Sequence, residues 1–319
     1  MNKRFISLFF SILTACVTGV AVAFFGIGVW ASIDKKAPKE EIDTGTLEEA
    51  DQDPSFVTRF SRTFIYSADD GAEIIESAKN SLPQTANTKV TASSYVVMDI
   101  DRKIAVLEKD ADRLLPIASI TKLITAVVSL KLMDKNDSVV VTRQALGTYG
   151  NEARLREGEK FKVDELIYPL LMVSSNDAAE ILAQAYGRKN FIKEMNSWVN
   201  EIGAYRTYFI DPSGLSAQNI STARDISIIA QWIWENEPEL FDITLQKAKT
   251  IRTHTWINPT HFLNLTSYIG GKNGYTPEAN RTSVSLFKLG RYKKIYAVIL
   301  LASEARDSDI LDLLEEAVR

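Results

Sequence analysis

Beyond residue 90 the hydrophobic period of this chain changes twice, and that order constrains the fold more than any other feature. Residues 94–100 read as a strand, followed by a turn at Asp101-Arg102 and a second strand over 104–107. The period then becomes helical. Leu123, Ala126, Val127 and Leu130 mark a helix over 119–133, and amphipathic helices are predicted over 163–171, 177–186, 191–202 and 223–234. Strands return over 269–272, 282–288 and 294–302, the last two joined as a hairpin by Leu289-Gly290-Arg291, before a helix over 307–319. Strands at both ends with helices between them predict an α+β domain. Its antiparallel sheet is assembled from the two terminal segments and flanked by a helical lobe.

That domain is expected over 89–319 of the 319 residues. Ahead of it, Lys3 and Arg4 precede an uncharged run over 5–33, longer than the ~20 residues a helix needs to cross a bilayer. A cleaved signal peptide has an apolar core of only ~7–15 residues. Residues 1–33 therefore read as a cytoplasmic tip and a retained transmembrane signal anchor. Two competing readings are a cleavage site at Ala21-Val22-Ala23 and a lipidation box at Leu13-Thr14-Ala15-Cys16; both are followed by further apolar sequence. The basic short side places the N-terminus in the cytoplasm and the domain on the outer side of the cell membrane. Residues 34–88 begin as an acidic tether, with Glu40, Glu41, Asp43, Glu48, Glu49, Asp51 and Asp53, and continue into a juxtamembrane segment whose fold is left open.

Composition removes several function classes. A net charge of −4 gives no general attraction to nucleic acid. The single cysteine, Cys16, excludes an intrachain disulfide and a cysteine zinc site, and no pattern calls for a metal or organic cofactor. The two histidines, His254 and His261, lie in a polar stretch without a neighbouring nucleophile motif, which argues against a Ser-His-Asp triad.

Ser119 and Lys122 stand three residues apart at the mouth of the first apolar helix, where i and i+3 share a face. A serine hydroxyl is a weak nucleophile until a neighbouring base takes its proton, and a lysine amine within reach is such a base. Ser32/Lys35 and Ser285/Lys288 have the same spacing. The first pair sits at the membrane boundary, and the second in a strand, where i and i+3 point to opposite faces. Downstream, Ser174-Ser175-Asn176 falls on the loop between two helices, and Lys272-Asn273-Gly274 stands at the start of the closing strands. Each motif alone has an ordinary reading: Ser119, or the stretch from Ser174 to Asp177, as a helix N-cap, and Asn273-Gly274 as a two-residue hairpin turn. The ordered set S-x-x-K, S-x-N, K-x-G is far more specific than its parts.

With these motifs, and with the stretches 116–126, 170–179, 211–215 and 221–225, residues from about 90 to 319 resemble the serine-type D-alanyl-D-alanine carboxypeptidases, the low-molecular-mass penicillin-binding proteins. The resemblance implies a β-lactamase/transpeptidase-like fold. It implies an enzyme that removes the terminal D-alanine from peptidoglycan stem peptides, or cuts their D,D-cross-links, with β-lactam antibiotics as covalent acylating inhibitors. By position, Ser119 is implied as the nucleophile and Lys122 as its base, neutral at the moment of attack through burial and the neighbouring cation Lys272. Ser174 is implied as the relay to the departing amine, and Asn176 as the residue that orients Lys122. Lys272, Asn273, Gly274, Tyr275 and Thr276 are implied in substrate binding. Lys272 would face the substrate carboxylate, Gly274 would leave room along the strand, and the backbone N–H groups of Ser119 and Tyr275 would form the oxyanion hole.

Asn273 departs from the family pattern, which has threonine or serine there, and Asn280-Arg281 replaces a usual glycine–aromatic pair. The first departure motivates a competing expectation, a catalytically weak or inactive wall-binding homologue. A β-lactamase is a third reading, lowered because residues 205–216 contain Asp211 and no glutamate.

Overall fold

The apolar run over 294–302 becomes the middle strand of the sheet, and the rest of the domain is arranged around it. The computed structural model describes residues 90–319 apart from 151; the anchor and tether expected over 1–88 lie outside the described residues. Strands β1 (Ser94–Asp99) and β2 (Ile104–Lys109) come first. Strand β3 (Leu115–Pro116) then leads through a 3-10 turn, Ala118–Ile120, into helix α1 (Thr121–Leu132). The short pair β4 (Ser138–Val140) and β5 (Lys160–Lys162) brackets α2 (Arg143–Leu146). Helices α3 (Val163–Met172), α4 (Asn176–Tyr186) and α5 (Arg188–Glu201) follow, then β6 (Ile220–Ser221), α6 (Ala223–Asn236) and α7 (Glu239–Leu245). After a hairpin of β7 (Ala248–Ile251) and β8 (His254–Ile257) come β9 (Tyr268–Thr276), β10 (Asn280–Leu289), β11 (Lys294–Ser303) and α8 (Arg306–Val318).

The main sheet has the order β2-β1-β11-β10-β9 and is antiparallel at every pairing. It is the sheet expected from the two terminal segments. Along β11, Ile295, Ala297, Ile299 and Leu301 enter the core shared with the helical lobe, while Tyr296, Val298 and Leu300 enter a second core on the other face, which includes Ile310 and Leu314 of α8. A strand covered on both faces has no solvent side, so it reads as an unbroken apolar run. Helix α1 is buried at every position from Thr121 to Ser129 and is the central helix of the lobe. The buried Asp309 joins the ends of the domain: its carboxylate accepts from Thr91 N, Thr91 Oγ1, Ala92 N and Ser303 Oγ at 2.7–2.9 Å.

Two local expectations change. Strand β9 runs to Thr276, because Asn273 and Gly274 pair with Ser283 and Thr282 of β10, and this overturns the reading of Asn273-Gly274 as a hairpin turn. The hairpin β7–β8 and helix α7 are elements that the sequence pattern did not announce; at four to seven residues each they are too short to establish a period. Among the described residues no helix is long and apolar enough to cross a membrane.

Candidate active site

Ser119 lies in the 3-10 turn ahead of α1, and neither that turn nor the helix has a side-chain cap. The capping reading of Ser119 therefore fails. Ala118, just before it, has φ +48°, in the left-handed region that disfavours a side chain. Two glycines make this turn possible. A Cβ on Gly214, where φ is +83°, would lie 1.9 Å from the Ala118 carbonyl oxygen. A Cβ on Gly274 would lie 2.8 Å from Ser119 N and 2.5 Å from Thr282 Oγ1. Gly274 thus lets β9 pass directly against the backbone of Ser119. The space its missing side chain leaves is taken by the protein itself rather than left along the strand. Thr282 Oγ1 donates to the Ile117 carbonyl at 3.0 Å and fastens the same turn to the sheet.

Lys122 is fully buried. Its Nζ lies 2.9 Å from Ser119 Oγ and donates to Asn176 Oδ1 at 2.7 Å and to the Ser213 carbonyl at 2.6 Å. The last two partners only accept, so they occupy two N–H bonds in either charge state. The third position faces Ser119, and a neutral amine there presents its lone pair to the hydroxyl. Burial brings the Lys122 amine down to about 7, against the opposing pull of Asp211 and Glu152. The amide of Asn176 is oriented from its other end, since Nδ2 donates to the Tyr149 carbonyl at 2.7 Å.

The Ser213 carbonyl is placed by the turn at Asp211-Pro212-Ser213-Gly214. The Asp211 carboxylate accepts from Ser213 N, Ser213 Oγ, Gly214 N and Ser216 N at 2.7–2.9 Å. Asn219 Nδ2 donates to the Asp211 carbonyl at 2.8 Å, and Thr125 Oγ1 donates to the Pro212 carbonyl at 2.6 Å. Asp211 is the only acid of residues 205–216, and its oxygens are committed to this turn, which leaves that loop without a carboxylate base for deacylation. Motif reasoning missed Ser213 because it acts through a carbonyl that every residue has. The Asp-Pro-Ser-Gly signature announces the turn and not its contact.

Ser174 has φ +58°, whereas its neighbour Ser175 is the N-cap of α4 and accepts from Ala178 N at 3.0 Å. The capping reading thus belongs to Ser175. Ser174 Oγ instead accepts from Lys272 Nζ at 2.9 Å, and Lys272 Nζ also donates to the Asn273 carbonyl at 2.8 Å. Burial, and then the Lys122 and Arg306 cations, hold the Lys272 amine well below the ordinary lysine range. Burial lowers Lys122, as expected, and the like charge of the two amines adds to the lowering of Lys272. Arg306 belongs to no motif, and a lone arginine opening a helix carries no sequence signal for this position.

The remaining predicted residues lie along β9. Asn273 Oδ1 accepts from Ser283 Oγ at 2.8 Å. Tyr275 is exposed with the Arg281 guanidinium 5.9 Å from its ring, and Thr276 Oγ1 accepts from Ala279 N at 3.1 Å, bracing the turn into β10. β9 is the edge of the sheet among the described residues. Its first half is covered by α7, where Gly271 N donates to Thr244 Oγ1 at 2.9 Å. An uncovered edge beside a nucleophile is a template for an extended peptide. The histidines are engaged elsewhere: His254 Nε2 lies 3.0 Å from Glu159 and His261 Nδ1 lies 2.8 Å from Asp307.

A five-stranded antiparallel sheet with a helical lobe, carrying a serine–lysine pair where they meet, defines a serine hydrolase of β-lactamase/transpeptidase-like fold. More narrowly, the chain belongs to the D-alanyl-D-alanine carboxypeptidase family, whose sequence pattern matches residues 79–303. It is 30% identical over 234 residues to the D-alanyl-D-alanine endopeptidase of Pseudomonas aeruginosa, an overlap of 65% of this chain and 73% of that protein. With the D-alanyl-D-alanine endopeptidase of Haemophilus influenzae it shares 36% identity over 145 residues, 44% of this chain and about half (50%) of that relative. Among solved structures it is similar to penicillin-binding protein D2 from Listeria monocytogenes in its ampicillin-bound form. The TM-score is 0.65 at 26% identity, with 73% of this chain and 99% of that one covered.

Proposed function

We propose that this protein is a serine D,D-peptidase that acts on peptidoglycan stem peptides through an acyl-enzyme on Ser119. The observation that carries the reading is the third position of the buried Lys122 amine, which meets Ser119 Oγ at 2.9 Å while the other two are held by acceptors. In this reading the Ser119 oxygen bonds to the carbonyl carbon of the penultimate D-alanine while its proton passes to Lys122. The peptide C–N bond breaks, and the departing amine takes a proton through Ser174. Water then cleaves the ester and regenerates the serine. The substrate lies along the open part of β9, with Lys272 supplying the positive charge for its carboxylate and the N–H groups of Ser119 and Tyr275 facing the oxyanion. The P. aeruginosa and H. influenzae relatives are endopeptidases by name, so the same chemistry is proposed for terminal and cross-linked D-alanine alike.

The test is labelled penicillin together with D-alanine release from a pentapeptide. Wild type takes the label and Ser119→Ala does not; equal labelling of the two removes Ser119 from the mechanism. Labelling without D-alanine release favours the weak or inactive homologue that Asn273 motivates. We further propose that residues 5–33 anchor the chain in the cell membrane with the catalytic domain outside, supported by the Lys3-Arg4 flank. Protease treatment of intact spheroplasts should then degrade the domain, and its protection would overturn that orientation.

A further inference from the structure

Ser283 lies directly opposite Asn273 across the β9–β10 pairing. Its Oγ donates to Asn273 Oδ1 at 2.8 Å, and Ser285 Oγ is 2.8 Å from Ser283 Oγ. The two serines are 0% and 1% exposed, while Asn273 is half-buried beside the Lys272 amine. Two proton arrangements satisfy these distances. In one, Ser285 donates to Ser283, Ser283 donates to Asn273 Oδ1, and Asn273 Nδ2 presents its two N–H bonds outward. In the other the amide is turned over and every bond reverses. Ser285 then becomes a buried donor with no acceptor, because Ser283 Oγ is its only side-chain partner among the described residues. An unmade buried donor costs about 1–3 kcal/mol, which selects the first arrangement.

We propose that Ser283 and Ser285 are positioning residues that lock the Asn273 amide with donors outward, making it the element that selects substrates ending in a free carboxylate. The inference rests on the D,D-peptidase reading and deepens it. A threonine hydroxyl at this position both donates and accepts. The locked amide only donates, so it favours a carboxylate and opposes a C-terminal amide, whose NH2 would meet donors.

The Ser119→Ala chain binds without turnover and is titrated calorimetrically with an acyl-D-alanyl-D-alanine peptide and with the C-terminal amide of that peptide. Ser283→Ala and Ser285→Ala should each weaken binding of the carboxylate peptide by roughly tenfold, on the scale of one hydrogen bond to a charged group. They should leave the amide peptide nearly unchanged. Adding Asn273→Thr should make Ser285→Ala silent, since a hydroxyl needs no such orientation. Equal weakening of both peptides, or no weakening in chains that melt at the parent temperature, overturns the proposal. If the alanine variants do not fold, Ser283→Thr retains the hydroxyl and should retain the carboxylate preference; its loss overturns the proposal in the same way. Penicillin labelling of the unsubstituted chain is read in parallel. No labelling overturns the underlying D,D-peptidase reading, whereas labelling with an unchanged carboxylate-to-amide ratio overturns the serine assignment alone.

Discussion

At the scale of single residues, the site is governed by two amines that share one buried region. Lys122 is brought to about 7 by burial. Acylation by penicillin should therefore rise with pH through about 7 and level off above it, as measured in stopped-flow labelling across pH 5–9; a flat profile would remove Lys122 as the base. The same shift has a signed effect on stability. Between about 7 and ~10.4 the folded chain holds Lys122 neutral while the unfolded chain keeps it charged, so the unfolded state binds more protons and stability rises with pH across that window. The stability of wild type minus that of Lys122→Met should accordingly rise from pH 6 to 9. For Lys272 the direction is also downward, from burial and the Lys122 and Arg306 cations. A substrate carboxylate beside it restores the charged form, so binding of the acyl-D-alanyl-D-alanine peptide to Ser119→Ala at pH 8 should take up protons. Calorimetry in buffers of different ionisation enthalpy reads that uptake, and Lys272→Met should abolish it. Ser119, Lys122, Ser174, Asn176 and Lys272 were all legible as motif letters. Ser213, Ser283, Ser285 and Arg306 were not, because their parts are a carbonyl, a buried hydroxyl chain and a long-range charge.

At the scale of elements, the hairpin β7–β8 braces the loop that orients Asn176. Trp256 Nε1 donates to the Ala153 carbonyl at 3.0 Å, His254 meets Glu159 and Arg252 Nη2 meets Glu165 at 2.9 Å. The Tyr149 carbonyl that holds Asn176 lies four residues before Ala153. Trp256→Phe removes that donor and shrinks a buried indole to a phenyl ring, at a cost of about 1–3 kcal/mol. Hydrogen exchange over 149–158 should accelerate and acylation should slow, while exchange in β11 stays as in wild type; unchanged exchange in the loop would dissociate hairpin from site. Long elements were legible because their periods repeat. The 3-10 turn of Ser119 was read as the first turn of the helix, since the bend there depends on Gly214 and Gly274 approaching from distant segments, a contact that no local pattern encodes.

At the scale of the molecule, the domain closes by joining its two ends. Asp309 receives four hydrogen bonds from Thr91, Ala92 and Ser303 with no part in the site. Asp309→Ala leaves those donors buried and should cost about 3 kcal/mol in chemical denaturation, while the folded fraction labels with penicillin at the wild-type rate. A destabilisation below about 1 kcal/mol would show that water replaces the carboxylate. The sequence by itself determined the α+β architecture, the antiparallel sheet built from both terminal segments, and the motifs of the Ser–Lys site. All of these follow from periodicity and from residue types at short spacing. Only the tertiary structure decided the burial that lowers the two amines, the partner of each serine and the course of Asn273-Gly274 as strand. Burial, backbone approach and hydrogen-bond direction are set by segments far apart in the chain, 165 residues in the case of Thr282 and Ile117, and no local pattern records them.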